Sequence, residues 1–321
     1  MDWVGQWYVL QEERGEFARI RFGCAEVGCE PEWYTVPHKD ADGIGAFADL
    51  LRRRGYGAFA TLPQMRQSDD TTRFPLRPLR PPAQVAAWMD FDTDWSGGSP
   101  QDACPSSMHW VILSEGQTRR VEEAALGQGV SLNSLLLWAL NRALGPWLDR
   151  SGPALWSMPV NLRGAVAVMP DTANQFAAID IDIACSGEAP AAPKDVHARI
   201  RQLLAQGAHW QAWNSWNVGE RVGINGMRML LQKSLQSGRR KTGLFSNLGA
   251  WDDGKTAPTV DWIFLAPVTK EVPFAACVLN WRGRLTAAIQ AHPALATDPQ
   301  RAADWLDAWM KELRGVCDSG A

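Results

Sequence analysis

The stretch His38-Lys39-Asp40-Ala41-Asp42-Gly43 is the most informative part of the chain, and Ile44-Gly45-Ala46-Phe47-Ala48-Asp49-Leu50-Leu51 follows it directly. It spells H-x-x-x-D-G and then an apolar segment with helical spacing. A neutral imidazole, whose unperturbed pKa is about 6.5, can accept a proton near neutral pH. The glycine leaves room where a substrate must pass. The pattern therefore predicts a general-base site at the beginning of a helix.

The composition limits the class of protein. The 321 residues are 46% hydrophobic and 21% charged, which is enough for a large core in one big domain or two lobes. The net charge of -3 argues against nucleic acid as the main partner. The longest apolar runs are too short to span a bilayer, and the N-terminus lacks the regions of a signal peptide, so we expect a cytoplasmic protein without a membrane span.

The cysteines and tryptophans give two further expectations. The 6 cysteines are scattered, without a C-x-x-C pair or zinc-ligand spacing, which predicts reduced thiols and no metal site. The 17 tryptophans are mostly core residues, although such flat rings also suit a cavity for an acyl chain or an aromatic group. Trp210, Trp213 and Trp216 recur every third residue and could line such a cavity, but core packing is the simpler interpretation.

Near the N-terminus, residues 6–11 and 17–22 have strand-like composition and predict a β-hairpin. Residues 32–36 predict a third strand that leads into His38, and residues 45–54 predict a helix. Residues 62–105 are rich in proline and glycine, and we interpret them as a crossover between two lobes.

The rest of the chain mixes strands and helices. Strands are predicted at 109–114, 154–162, 176–183, 244–248, 262–265, 274–281 and 284–290. Helices are predicted at 115–127, 131–144, 194–207, 220–235 and 299–313. Because strands and helices do not alternate strictly, the pattern favours an α+β architecture over a doubly wound sheet.

Six short segments carry a resemblance when they are taken together in chain order. They are the H-x-x-x-D-G stretch, Gly129-Val130-Ser131-Leu132-Asn133 with the helix that follows it, Met158-Pro159-Val160-Asn161-Leu162-Arg163, Asn174-Gln175-Phe176, Phe245-Ser246-Asn247-Leu248-Gly249 and the hairpin Val278 to Thr286. In this order they resemble the chloramphenicol-acetyltransferase-like superfamily. That superfamily includes peptide-synthetase condensation domains, plant HxxxD acyltransferases, and wax-ester and polyketide-associated acyltransferases.

The resemblance, which covers roughly residues 30–315, implies a two-lobed α+β fold. Each lobe would be a mixed sheet flanked by helices, with His38 in a tunnel at the lobe interface. Residues 1–105 would form the N-terminal lobe with the crossover, and residues 106–321 the C-terminal lobe with the S-N-L-G strand. Two lobes in one chain favour a monomer. The chain departs from the family in having Pro37 before His38, where a second histidine is common, and in its short N-terminal lobe.

The resemblance also implies the chemistry of the site. An acyl group would pass from a thioester, on coenzyme A or a carrier protein, to a hydroxyl or an amine of a small-molecule acceptor. His38 would act as general base, with its other ring nitrogen held by a backbone carbonyl, and Gly43 would leave room for a pantetheine arm. Asp42 would pair with Arg163 rather than act as a relay. No bound cofactor or metal is implied.

Two groups of residues would contact the donor. Ser246 and Asn247 are the motif-based candidates for stabilising the tetrahedral oxyanion, and Asn161 is a weaker one. The basic run Arg239-Arg240-Lys241 precedes the S-N-L-G strand, where it could meet the phosphates of coenzyme A or of phosphopantetheine. The alternative for this run is an ordinary solvated surface.

Other functions stay open. The fold could be catalytically silent and only bind a ligand, or it could cyclise or release a carrier-bound chain. Gly43-Ile44-Gly45-Ala46-Phe47-Ala48 also fits a dinucleotide fingerprint, G-x-G-x-x-A, but polar residues 39–42 stand where that motif needs an apolar strand. The sequence does not identify the acyl group, the acceptor, or the choice between coenzyme A and a carrier protein.

Overall fold

The computed structural model describes residues 2–26, 29–56, 62–65, 82, 84–92, 107–185, 191–236, 240–252, 260–296 and 298–319. Most of the predicted crossover at 62–105 therefore lies outside the described residues. Arg239 also lies outside them, so the structure describes only part of the basic run before the S-N-L-G strand.

The described part of the chain contains eight α-helices and nine β-strands. The helices are α1 (Trp3–Glu12), α2 (Gly43–Arg53), α3 (Glu115–Gly127), α4 (Leu132–Leu144), α5 (Pro193–Ala205), α6 (Ala208–Trp216), α7 (Gly219–Gln236) and α8 (Pro299–Ser319). The strands are β1 (Arg19–Glu26), β2 (Glu32–Pro37), β3 (Met108–Ile112), β4 (Ala154–Asn161), β5 (Phe176–Ile183), β6 (Gly243–Trp251), β7 (Val260–Leu265), β8 (Phe274–Trp281) and β9 (Arg284–Ala291). The predicted α+β class is confirmed.

The predicted elements beyond residue 107 are confirmed because local chemistry marks their ends. Ser131 accepts a hydrogen bond from the backbone N–H of Ser134 at 3.2 Å and caps α4. Ser114 and Gln117 form a capping box at the beginning of α3. Arg282 and Gly283 adopt positive φ angles of 50° and 79°, which suit the tight turn between β8 and β9.

The predicted N-terminal hairpin is wrong in its first half. Residues 6–11 belong to helix α1, not to a strand, whereas the second predicted strand survives in β1. Asp2 caps α1 by accepting a hydrogen bond from the backbone N–H of Gly5 at 2.7 Å. Trp7 Nε1 donates to the carbonyl of Trp216 at 2.6 Å, and Leu10 is buried against α7. Packing against α6 and α7 therefore outweighs the strand-like composition of this segment. Helix α6 was not predicted.

The strands form two sheets. The larger sheet has the order β3-β9-β8-β6-β4-β5, and β6 runs parallel to both of its neighbours while the other pairs are antiparallel. The smaller sheet has the order β2-β1-β7 and is antiparallel throughout. Strand β7 pairs with β1 although more than 200 residues separate them. The predicted lobe boundary at residue 105 stays a prediction.

The central strands β8 and β9 of the larger sheet are buried on both faces, which explains their continuous apolar runs. Along β8, Ala276 and Val278 join a core that includes α4 and α8. The alternate residues Ala275 and Cys277 point to the opposite face and join the core beneath α2 and the smaller sheet. This second core holds α2 in place, and α2 begins at the H-x-x-x-D-G stretch. In the described part of the chain, no helix has both the length and the apolarity that a membrane crossing requires.

Candidate active site

Asp42 is the N-cap of α2, and its carboxylate accepts four hydrogen bonds. The backbone N–H of Gly45 donates to Oδ1 at 2.9 Å, and the backbone N–H of Gln175 donates to Oδ2 at 2.9 Å. Arg163 donates to both oxygens, through Nη2 to Oδ1 at 2.8 Å and Nη1 to Oδ2 at 2.9 Å. The carboxylate is therefore fully occupied and does not touch the imidazole as a relay partner.

Arg163 follows the end of β4 and uses all five of its N–H groups. Besides Asp42, it donates to the carbonyls of Asp171 at 3.2 Å and Ala173 at 3.0 Å, and to Asn161 Oδ1 at 3.3 Å. The side chains of Arg163 and Asp42 are 2% and 5% exposed. Such a bidentate, hydrogen-bonded pair can be buried without an unsatisfied charge. The ion pair implied by the resemblance is thus present, and it joins β4 to α2.

The His38 ring has a fixed tautomer. Its Nδ1 lies 3.1 Å from Asn174 Oδ1. The amide of Asn174 cannot be reversed, because its Nδ2 donates to Asp2 Oδ2 at 2.9 Å and to the His38 carbonyl at 3.1 Å. Nδ1 therefore carries the proton and donates it, and Nε2 is the basic nitrogen. The resemblance implied a backbone carbonyl as the partner; the Asn174 side chain makes this hydrogen bond, and the carbonyl of His38 itself also interacts with the ring.

Burial lowers the pKa of His38 below its usual value, because the charged ring loses hydration. The carbonyl of His38, the carboxylate of Asp42 and the hydrogen bond to Asn174 oppose this effect in part. The ring is therefore held in its neutral, proton-accepting form at neutral pH.

Tyr8 of α1 covers one face of the His38 ring. The two rings are stacked, with centroids 4.1 Å apart and an interplanar angle of 14°. The Tyr8 hydroxyl lies 3.3 Å from His38 Nε2. Phe176, whose ring centroid is 5.5 Å from that of His38, adds a second aromatic contact. These rings contribute to the burial of the imidazole, and this burial lowers its pKa.

His38 lines a cavity of about 420 Å³. The same cavity is lined by seven other predicted site residues, namely Asp42, Gly43, Asn161, Arg163, Lys241, Ser246 and Asn247. Most of the remaining wall is apolar, from residues such as Ile20, Ile44, Leu248 and Phe264. A largely apolar cavity with a few convergent polar groups is typical of a small-molecule site.

The floor of the cavity follows β4 and β5. Asn161 and Phe176 are paired at the His38 end, and Ser157 and Asp180 are paired four residues farther along β4. Since a strand rises about 3.3 Å per residue, the two ends are about 13 Å apart. Between them, Pro159 and Ala178 leave the floor flat and apolar. The cavity is therefore a trough with polar groups at both ends.

The predicted oxyanion donors differ in availability. Asn247 is engaged, because its Nδ2 donates to Asn133 at 2.7 Å and its Oδ1 accepts from Gly249 at 2.8 Å. Asn161 is engaged as well, since its Nδ2 donates to the carbonyl of Pro63 at 2.8 Å. Ser246 is 5% exposed, lines the cavity, and makes no side-chain hydrogen bond to any described residue. Ser246 is thus the available donor among the three.

In the described part of the basic run, Lys241 binds protein groups and Arg240 does not line the cavity. Lys241 Nζ donates to Asp180 Oδ1 at 2.6 Å and to Ser157 Oγ at 3.2 Å, at the far end of the trough. Arg240 is exposed, and its guanidinium lies 4.3 Å from the ring centroid of Phe91. Arg239 lies outside the described residues. Contact between this run and a donor phosphate stays a prediction.

The glycines of the motif permit close packing. A Cβ on Gly43 would lie 2.8 Å from a side-chain carbon of Leu248, so any side chain here would push into the cavity wall. A Cβ on Gly45 would overlap the carbonyl oxygen of Thr172. Gly45 therefore lets α2 approach the loop that also carries Asn174, and this contact helps to set the distance between His38 and its partner.

Three residues of the site were missed from the sequence: Asp2, Tyr8 and Asn174. Tyr8 lies in residues 6–11, which were predicted to be a strand, and Asp2 precedes that segment. The pattern Asp2-x-x-Gly5 before an apolar run was the available signal for a helix N-cap. Asn174 was noticed only as part of a strand start. In the described part of the chain, no group of three or more His, Cys, Asp or Glu residues is placed to hold a metal ion.

Comparisons with known proteins show the fold. No family model matches the chain, and no curated protein is found to match it. Among solved structures, polyketide synthase associated protein 5 from Mycobacterium tuberculosis has a TM-score of 0.54 at 17% identity, over 91% of this chain and 75% of that one. The epimerization domain from the third module of tyrocidine synthetase B has a TM-score of 0.53 at 14% identity, over 90% and 69%.

A third similar structure is a peptide-synthetase cyclization-docking bidomain from Sorangium cellulosum, with a TM-score of 0.53 at 11% identity, over 89% of this chain and 59% of that one. At these identities the likeness concerns the fold alone. The predicted two-lobed, chloramphenicol-acetyltransferase-like fold is therefore confirmed.

Proposed function

We propose that the protein is an acyltransferase, which moves an acyl group from a thioester to a hydroxyl or an amine with His38 as the general base. One observation carries this proposal. Asn174 holds the ring proton of His38 on Nδ1, which leaves Nε2 as the basic nitrogen of a ring that lines a cavity of about 420 Å³. A base for such a transfer must be neutral, oriented and accessible to the acceptor.

The proposed reaction begins when the acceptor gives its proton to His38 Nε2 as its oxygen or nitrogen attacks the thioester carbonyl carbon. The carbonyl electrons move to the oxygen, which becomes a tetrahedral oxyanion. When this intermediate collapses, the C–S bond breaks and the leaving sulfur takes the proton from Nε2. The products are an ester or amide and a free thiol, and His38 is neutral again. No covalent acyl-enzyme is needed.

Ser246 supports this step as an oxyanion donor. Its hydroxyl is buried and faces the cavity without a side-chain partner among the described residues. A hydroxyl whose oxygen the protein holds at the reacting carbonyl stabilises the developing negative charge more strongly than bulk water would. Asp42 and Arg163 hold the loop between β2 and α2, and we assign them no part in proton transfer.

The donor is proposed to be a thioester on coenzyme A or on a carrier protein. An apolar trough of about 13 Å suits the acyl chain or the pantetheine arm of such a donor. The basic run at Arg239, Arg240 and Lys241 is our candidate for the phosphate groups of the donor. The acceptor is a small molecule with a hydroxyl or an amine.

The test is thioester turnover. The protein is incubated with a panel of acyl-coenzyme A thioesters, and with the same acyl groups on a phosphopantetheinylated carrier protein, while free thiol is measured. We expect His38→Ala to slow thiol release by about 10²- to 10⁴-fold. His109→Ala removes an imidazole outside the cavity and should leave the rate unchanged. Equal release by wild type and His38→Ala, or none from any donor, would contradict the proposal.

A second candidate is cyclisation or release of a carrier-bound chain. It is suggested by the name of one structure with the same fold, a cyclization-docking bidomain of a peptide synthetase. The same assay separates the two functions. Turnover of coenzyme A thioesters with an added acceptor supports transfer to a small molecule. Turnover that requires the carrier protein, with a cyclised or released product and no added acceptor, supports the second candidate.

A further inference from the structure

We propose that the Tyr8 hydroxyl is a second oxyanion donor, which stabilises the tetrahedral intermediate together with Ser246. This inference rests on the proposed acyl transfer and adds a catalytic residue from the N-terminal helix. Tyr8 is one of only 3 tyrosines in the chain, and it belongs to none of the motifs that carry the family resemblance.

The position of the hydroxyl relative to His38 supports a role beside the base. The hydroxyl oxygen is 3.3 Å from Nε2, and Tyr8 lines the same cavity as His38 and Ser246. The lone pair of Nε2 lies in the plane of the imidazole, whereas the Tyr8 ring is stacked above that plane. The phenol therefore donates a long hydrogen bond to Nε2 from above the ring, and an acceptor that approaches in the ring plane can replace it. An oxyanion formed next to the attacking atom comes within reach of this hydroxyl.

Helix α1 is held firmly, which a preorganised donor requires. Asp2 caps the helix with one carboxylate oxygen and accepts from Asn174 Nδ2 at 2.9 Å with the other. A Cβ on Gly5 would lie 2.6 Å from the carbonyl oxygen of Lys39, so only glycine allows this approach to the His38 loop. Trp7 is fixed by its hydrogen bond to Trp216. These contacts hold the helix, and with it the Tyr8 ring, in place over His38.

Tyr8 remains protonated and can act only as a donor. Burial raises the pKa of its phenol well above the usual value, and the carboxylates of Asp42 and Asp2 raise it further. A phenol in this state cannot compete with His38 as a base. It can, however, direct its O–H at an oxygen that becomes negatively charged.

Two of the three predicted oxyanion donors already donate to protein groups, so the proposed site needs another donor beside Ser246. Asn247 and Asn161 donate to protein groups, so Ser246 is the remaining donor of the three predicted from the sequence. In the proposed step, the thioester carbonyl oxygen gains an electron pair as the acceptor bond forms. It accepts hydrogen bonds from Tyr8 and Ser246, and it returns the electron pair when the C–S bond breaks. Tyr8 keeps its proton throughout.

The experiment compares Tyr8→Phe with Tyr56→Phe. Tyr8→Phe keeps the ring that stacks on His38 and removes only the hydroxyl. Tyr56→Phe also removes one hydroxyl, but Tyr56 packs against Trp281 and does not line the cavity. We expect Tyr8→Phe to lower kcat by about 10²- to 10³-fold, with little change in the KM of the acyl donor. The loss should affect thioester hydrolysis and acyl transfer alike, and Tyr56→Phe should behave as wild type.

The pH profile separates an oxyanion donor from a residue that only positions His38. If Tyr8 is a donor to the oxyanion, Tyr8→Phe should have a lower kcat than wild type at every pH. The midpoint of the acid limb of kcat/KM should be the same in both proteins. A higher midpoint of the acid limb, with kcat restored at high pH, would overturn the proposal, because the hydroxyl would then act through His38. Unchanged kcat in Tyr8→Phe would also overturn it. The melting temperature of the variant, measured in parallel, identifies a loss caused by unfolding.

The two proposals can fail separately, because His38→Ala tests acyl transfer and Tyr8→Phe tests the second oxyanion donor. If wild type is active and His38→Ala is not, the function stands, and Tyr8→Phe alone decides this inference. If wild type releases no thiol from any donor, both fail together.

Discussion

Arg163 binds Asp42 through two parallel hydrogen bonds of 2.8 and 2.9 Å, and both side chains are buried. The pair connects the end of β4 to the N-terminus of α2, which come from distant parts of the chain. It also orders the loop that carries Asn174, because Arg163 donates to the carbonyl of Ala173 at 3.0 Å. The third and fourth segments of the motif set thus position the histidine of the first.

Breaking this pair should be costly. Replacing Arg163 by alanine leaves the Asp42 carboxylate buried without its counter-charge, and we expect a loss of about 3–5 kcal/mol in the free energy of unfolding. Arg53→Ala is the matched control, because Arg53 forms an exposed pair with Asp49 on α2. We expect that control to cost less than about 1 kcal/mol. Urea unfolding measures both, and similar losses in the two variants would contradict the assigned role.

The activity should persist to a lower pH than an unperturbed histidine allows. Burial lowers the pKa of His38, and the ring is active only when neutral. Between the lowered pKa and about 6.5, His38 therefore remains a base while an exposed histidine would be protonated. We expect the acid limb of kcat/KM for thiol release to have its midpoint below pH 6.5. A midpoint at or above this value would mean that another group, or a hydrated His38, limits the reaction.

Asn174 should control the tautomer of His38. Asn174→Ala removes the acceptor of the Nδ1 proton, so the proton can move to Nε2 and block the base. We expect kcat for thiol release to fall by at least about 10-fold, within the range of general-base effects. Asn225→Ala serves as control, because it removes an exposed amide on α7 whose oxygen accepts a hydrogen bond from Arg228. Unchanged kcat in Asn174→Ala would show that the carbonyl of His38 suffices.

Acid should destabilise the protein partly through His292, which is far from the motif in sequence. Burial, with the nearby charge of Lys270, lowers the pKa of His292 to about 4. The unfolded chain binds a proton near pH 6.5, so the folded state loses stability as the pH falls from about 6.5 towards 4. The full effect of this one group is about 3 kcal/mol.

The variant His292→Asn tests this effect. Its amide oxygen can still accept from the backbone N–H of Ala294, which lies 3.1 Å from His292 Nδ1. Urea unfolding of both proteins between pH 7 and pH 4 should give a smaller decrease for the variant. Parallel pH dependences would show that His292 does not titrate in this range.

Gly45 should not tolerate a methyl group. A Cβ here would overlap the carbonyl oxygen of Thr172, so Gly45→Ala has to displace α2 or the loop. We expect a cost of about 1–3 kcal/mol, the usual range for overpacking. Gly116 is also helical but has open space around it, and Gly116→Ala should be neutral or stabilising by up to about 1 kcal/mol. Thermal unfolding distinguishes the two, and equal effects would contradict the close approach at Gly45.

Much of the fold could be predicted from the sequence because its signals are local. Alternating apolar residues identify β5, a continuous apolar run identifies β8, and the caps at Ser114 and Ser131 identify α3 and α4. The order of the short motifs predicted the superfamily fold, which the similar structures confirm. The same motifs indicated the pairing of Asp42 with Arg163, since both residues belong to recognisable segments.

The composition and short patterns of the sequence thus determined most of the helices and strands, the fold and the choice of His38 as the candidate base. The tertiary structure decided the identity of α1, because residues 6–11 become helical only by packing against α6 and α7. It also decided which groups are available: Asn161 and Asn247 bond to protein partners, while Ser246 and Tyr8 face the cavity. These outcomes depend on contacts between residues far apart in the chain, such as Trp7 and Trp216, which are 209 positions apart, and no local pattern records such contacts.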